Sequence, residues 1–129
     1  MIYRLLVEQV REVDAVVVAE AGGWARHEVE VSLHRLADAH RLALTPGGLV
    51  WMAHPFSGVP TGYRATVGDA WWHANCAWDA LAILSLLGDG VVTGPSGPLW
   101  RADDGVISPD GFVHLVVPAR SFWEDVGFT

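Results

Sequence analysis

Cys76 and Asp79 stand three residues apart in Asn75-Cys76-Ala77-Trp78-Asp79, just ahead of the apolar run 80–87. If a helix begins at Ala77, both side chains lie on one face near its first turn. Unpaired backbone N–H groups and the positive end of the helix dipole gather there, and both favour a thiolate over a thiol. A soft nucleophile then stands beside a carboxyl group able to give or take a proton. The plainer alternative is a small buried hydrophobe followed by an ordinary first-turn acid. The flanks weigh toward chemistry. Trp71, Trp72 and Trp78 offer apolar walls and stacking surfaces, and His73 adds a titratable group.

The elements that must position this pair can be read from periodicity and turn residues. Residues 3–10 read as a short amphipathic helix. Asp14 is an N-cap for a helix over 15–21, which Gly22-Gly23 ends. Val29, Leu33, Leu36 and His40 recur at four-three-four spacing and predict a helix over 26–41. Residues 42–44, the turn Thr45-Pro46-Gly47-Gly48 and residues 49–53 form a hairpin. Helix, helix-turn-helix and hairpin in that order outline a winged helix. A Pro/Gly-rich connector spans 54–62 and is expected to run extended across the second half. Strands follow at 63–67 and 70–74, then the helix 77–87 ending at Gly88, then short strands at 91–93, 99–101 and 106–107. Residues 112–117 are nearly apolar throughout and read as the central strand. Pro118 ends it, before a short helix over 119–126.

Composition narrows the function classes. Of the 129 residues, 51% are hydrophobic and 18% charged, which describes a folded chain of one compact unit or two very small ones. Seven tryptophans suit a hydrophobic ligand pocket as well as a core. A net charge of −7 opposes phosphate backbones and anionic membranes. On the candidate recognition helix, Glu28, Glu30 and Asp38 offset Arg26, Arg35 and Arg41, and the N-cap position holds Ala25, so DNA is not the expected partner. A single cysteine excludes an internal disulfide and fits a reducing cytoplasm. The opening residues 1–7 are too short, and too soon interrupted by Glu8, for a signal peptide. No apolar run approaches the ~20 residues that span a bilayer. A cytoplasmic protein is expected, with no membrane partner and a homodimer left open.

Several blocks together resemble the organomercurial (alkylmercury) lyase family. They are the winged-helix start, Trp-Met-Ala-His-Pro-Phe-Ser (51–57), Asn-Cys-Ala-Trp-Asp-Ala-Leu (75–81), Val-His-Leu-Val-Val-Pro-Ala-Arg (113–120) and Phe-Trp-Glu-Asp-Val-Gly-Phe-Thr (122–129). The resemblance runs along nearly the whole chain, and the Asn-Cys-Ala-Trp-Asp block is its specific part. It implies protonolysis of a carbon–mercury bond, giving a hydrocarbon and mercury(II). By resemblance Cys76 is the first mercury-binding thiolate, a transient metal ligand, and Asp79 the proton carrier. No resident cofactor is implied: mercury is part of the substrate, and an external thiol can assist. The family's second catalytic cysteine, which falls near or just beyond the closing Phe-Thr, has no counterpart among these residues. His73 and His114 are candidate nitrogen ligands or bases for the thiol, against the plainer reading of structural histidines.

These readings combine into an α+β protein. A winged helix-turn-helix (1–56) packs on a small mixed-sheet domain with one main helix (57–129) that carries Cys76 and Asp79. The leading function is organomercurial-lyase-like, with Trp71, Trp72, His73, Trp78 and His114 around the substrate. One rival is a repurposed enzyme acting on a mercury-free apolar small molecule, such as a lyase, hydrolase or cyclase of secondary metabolism. The other is a non-enzymatic metal sensor or DNA-binding regulator.

Overall fold

The computed structural model describes residues 1–114 and 117–125. Asp14 caps helix α2 (Ala15–Gly22) by accepting the Val17 N–H at 2.9 Å, and Gly23 closes it in the left-handed conformation (φ 66°). Helix α1 (Ile2–Val7) precedes it and helix α3 (Arg26–Asp38) follows, burying Val29 and Leu33. α3 stops three residues short of the predicted end. Ala39 leaves the helix and His40 turns left-handed (φ 55°), so His40 does not extend the apolar stripe.

The rest of the chain builds one eight-stranded sheet in the order β1-β2-β3-β5-β4-β6-β7-β8. The first hairpin is β1 (Ala43–Leu44) and β2 (Val50–Ala53), and β3 (Phe56–Ser57) lies inside the predicted connector. β3 pairs with β2 on one side and with β5 (Ala70–Ala74) on the other, through Phe56↔Ala74. The hairpin is therefore joined to the main sheet, and the boundary expected between residues 56 and 57 falls inside β3. The sheet continues through β4 (Tyr63–Val67), β6 (Gly90–Gly94), β7 (Gly97–Asp103) and β8 (Val106–Ser108).

Each pairing is antiparallel, which corrects the expected mixed sheet. The hairpins β1–β2, β2–β3, β4–β5, β6–β7 and β7–β8 are closed by short turns, which only antiparallel neighbours allow. Two connections cross a strand: residues 58–62 take the chain from β3 past β5 to β4, and helix α4 (Ala77–Leu87) carries it from β5 past β4 to β6. β4 and β6 approach closely because Gly90 has no side chain; a Cβ there would strike the Thr66 carbonyl. Gly88 (φ 121°) ends α4 where predicted.

Residues 112–114 are not in a strand, and Phe112 is 90% exposed. The central place expected for that segment is occupied by β4, between β5 and β6, while the rest of the expected strand, 115–116, lies outside the described residues. The predicted final helix is a single 3₁₀ turn, Ala119–Ser121, followed by further turns; Val126 lies outside the described residues.

One core runs through all of this. Val13, Val50, Ile83 and Val92 are fully buried, and they come from the α1–α2 loop, β2, α4 and β6. Val13 also accepts the Val50 N–H at 2.8 Å, tying the helical segment to the sheet. Ile83 and Ala80 set α4 against the sheet and so fix where its first turn stands.

Candidate functional site

The first turn of α4 holds both residues of the predicted pair. Cys76 is the N-cap, extended (φ −150°, ψ −179°), with its carbonyl accepting the Ala80 N–H at 3.0 Å. Its thiol is partly buried and makes no capping hydrogen bond. The expected thiolate bias is overturned: the Cys76 pKa is raised. Burial is the largest cause and the Asp79 charge adds to it, outweighing the Asp79 and Trp78 backbone N–H groups that pull the other way. The resting group is a thiol.

Asp79 is 8% exposed, a carboxylate drawn into the protein. Burial of a carboxylate needs donors, and two converge on one oxygen. Asn75 Nδ2 donates to Oδ2 at 2.8 Å, and His54 Nδ1 lies 3.1 Å from the same atom. His54 reaches it from the β2–β3 turn, half-exposed, because the Phe56↔Ala74 pairing places that turn beside the β5–α4 turn. The hydrogen bond to Asp79 raises the His54 pKa, burial opposes it, and the Asp79 charge adds to the rise. Across the ring, Trp123 meets His54 edge-on at 6.5 Å and stacks on His40 at 4.6 Å. Asn75 Nδ2 also faces the Pro55 and Phe56 carbonyls at 3.4 Å, while its own Oδ1 is buried with no partner among the described residues. An orphaned buried acceptor costs about 1–3 kcal/mol. The amide accepts that cost because the flipped orientation would set its oxygen against three acceptors.

The other predicted site residues are dispersed. Trp72 faces the core, 7% exposed, and donates its indole N–H to the Val7 carbonyl at 3.0 Å. Trp71 and His73 lie on the opposite face of β5, as strand alternation requires. There Arg11 and Arg64 stack on Trp71 at 4.0 and 3.9 Å, and His73 meets its edge at 5.0 Å. His73 Nδ1 accepts the Thr61 N–H at 3.3 Å, and its pKa is lowered by burial and then by the two arginines. Trp78 stays on the Cys76 turn but is 62% exposed. His114 is exposed beyond β8. His54 and Asn75 were not among the predicted site residues. Asn75 was within reach, an amide directly before the cap, whereas His54 is 25 residues from Asp79.

A cavity of about 590 Å³ lies elsewhere, between α2, α3 and the β1–β2 turn, with Asp14, Arg26, Glu30, Val31, His34 and Gly48 among its walls. Its Arg26 is already paired with Glu30 at 2.7 Å. Among the described residues no group of three or more His, Cys, Asp or Glu side chains is arranged to hold a metal ion. Among them, too, no helix is long and apolar enough to cross a membrane.

Asn75, Cys76 and Asp79 lie within a segment that matches a known family. Residues 56–95, from β3 through α4 to β6, match the model of MerB, alkylmercury lyase. Over those residues the chain resembles alkylmercury lyase. No curated protein matches it. Among solved structures, the mercury-bound form of MerB2 superposes with a TM-score of 0.58 at 16% identity, over 81% of this chain and 59% of that one. The chain thus spans less than two thirds of that protein's length, and the likeness is one of fold.

Proposed function

We propose that this protein cleaves a carbon–mercury bond by protonolysis, with Cys76 as the mercury-binding sulfur and Asp79 as the proton carrier. The observation that carries the reading is a partly buried thiol and a buried carboxylate on one helix turn, inside the matched segment 56–95. Mercury is soft and prefers sulfur. As an organomercury cation reaches Cys76, the thiol proton passes to Asp79 and a sulfur–mercury bond forms. Asp79 then delivers that proton to the carbon bound to mercury. The carbon–mercury bond breaks, its electron pair forms the carbon–hydrogen bond, and mercury(II) remains on the Cys76 sulfur. An external thiol removes it. A resting thiol suits this cycle, because the proton that ends on the hydrocarbon starts on sulfur. Trp78, on the same turn, would face the organic group. The order α1-α2-α3-β1-β2 we read as a winged helix merged into the sheet.

The test is single-turnover release of benzene from phenylmercury with excess small thiol. Release that fails in both Cys76→Ser and Asp79→Asn supports the reading. Tight binding without release rejects it in favour of an enzyme acting on a mercury-free apolar molecule, a reading favoured by the chain's single cysteine. A regulator that binds duplex would shift random DNA at low salt. The Arg26–Glu30 pair and the net charge of −7 argue that it will not.

A further inference from the structure

Resting on that reading of Cys76 and Asp79, we propose that His54 is a positioning residue: with Asn75 it holds Oδ2 of Asp79, so that Oδ1 is the oxygen that carries the proton.

The two carboxyl oxygens are treated unequally. Oδ2 receives Asn75 Nδ2 at 2.8 Å and His54 Nδ1 at 3.1 Å, whereas Oδ1 makes no hydrogen bond among the described residues. A carboxylate oxygen offers two lone-pair sites. With both filled by N–H donors, a proton can settle on Oδ2 only by displacing one of them, and Oδ1 is open to it. Asn75 is a fixed donor, since its amide also faces the Pro55 and Phe56 carbonyls. The contact of Asn75 Nδ2 with His54 Nδ1 at 3.4 Å is then two donors converging on one acceptor, which assigns the His54 proton to Nδ1. The imidazole also meets Trp123 edge-on at 6.5 Å, and Trp123 is itself stacked on His40. His54 touches neither the thiol nor the reacting carbon in this scheme. It acts by fixing the rotation of Asp79, and misplacing a proton carrier by about 1 Å can cost ~100-fold in rate.

The experiment is single-turnover benzene release, with phenylmercury affinity measured separately, for wild type, His54→Ala and His54→Asn. The asparagine variant places an N–H where Nδ1 stood, without a titrating ring. The expected result is a rate lowered roughly tenfold to a hundredfold in His54→Ala, the range a hydrogen bond to a charged group is worth. His54→Asn recovers to within about threefold, the span of context dependence of such a bond, and affinity is unchanged in both. Rates equal to wild type in both variants would overturn the proposal. So would His54→Asn as slow as His54→Ala, or weakened phenylmercury binding in place of slowed release, which would make His54 a ligand. Ring-nitrogen NMR separates this proposal from the lyase reading. If wild type releases no benzene, the lyase reading has failed. The positioning role then survives if neutral His54 carries its proton on Nδ1 in wild type and moves it to Nε2 in Asp79→Ala. An Nε2 proton in both proteins sinks it.

Discussion

The corner around Asp79 and the groove along α3 use polar side chains in opposite ways. The groove is roomy, about 590 Å³, and lined by charges, yet its Arg26 is paired with Glu30 on the same helix face. The corner sets a thiol beside a buried carboxylate, aims two donors at one oxygen and leaves an amide oxygen buried with no partner among the described residues. An exposed i,i+4 pair stabilises by a few tenths of a kcal/mol and constrains nothing else. Donors that converge on a buried carboxylate oxygen persist only where the surrounding fold holds them. Polar convergence, not volume, sets the corner apart, and it is there that the proposed chemistry is placed.

The most direct way to break this contrast is to disable each region in turn. Asp79→Asn should lower benzene release by roughly 10²–10⁴-fold, the usual contribution of a positioned acid. Replacing Arg26 and Glu30 together by Ala should leave release within about twofold, as for surface changes away from a site. Comparable losses in the two proteins would mean that the groove takes part in the chemistry.

Packing separates the regions next. Ile83, fully buried on the α4 face that seats the corner, should cost about 2–5 kcal/mol on truncation to Ala. Val31 also lines the groove but is 49% exposed, so Val31→Ala should stay within about 0.5 kcal/mol. Urea unfolding of both variants gives the comparison. Equal losses would show that the groove wall is part of the core.

How far the corner was legible follows from the distances in sequence that make it. Cys76 and Asp79 were visible because one helix turn fixes their relation, as α4 over Ala77–Leu87 bears out. His54 was not, since its approach depends on a single register, Phe56↔Ala74, between a two-residue strand and β5. Nothing local marks β3, which lies in a Pro/Gly-rich stretch read as a connector. The opposed faces of Trp71 and Trp72 were readable from alternation alone. Grouping both as walls of one site set aside a period that the strand assignment already implied. Residues 112–117 failed for another reason. Apolar content says that a segment can be buried, but the sheet order decides whether a place exists, and order is not a local property.

The helix caps sharpen the contrast at smaller cost. Asp14 holds the start of α2, and Asp14→Ala should lose about 1 kcal/mol. α3, along the groove, begins at Ala25, extended (φ −71°, ψ 131°) and without a side-chain cap, with Glu28 three residues on. Ala25→Ser would complete a capping box with Glu28 and should gain about 0.5–1 kcal/mol. Calorimetry should show Tm moving in opposite directions in the two variants. A loss in Ala25→Ser would mean that the bare N-terminus serves something other than stability.

The smallest effect is the pH dependence of stability that His54 contributes. Its pKa in the folded protein is raised from the ordinary value of 6.5, chiefly by the hydrogen bond to Asp79. The folded state therefore holds the His54 proton more tightly than the unfolded chain does. Stability from the pair is fully present below pH 6.5 and is lost as pH rises through the raised value. His54 is half-exposed, so solvent screens the pair and the change should be smaller than that of either cap. Tm measured from pH 5 upward should fall across that window in wild type relative to His54→Asn, which has no ring to titrate there. A decline that survives unchanged in His54→Asn would mean that the coupled proton is not the one on His54.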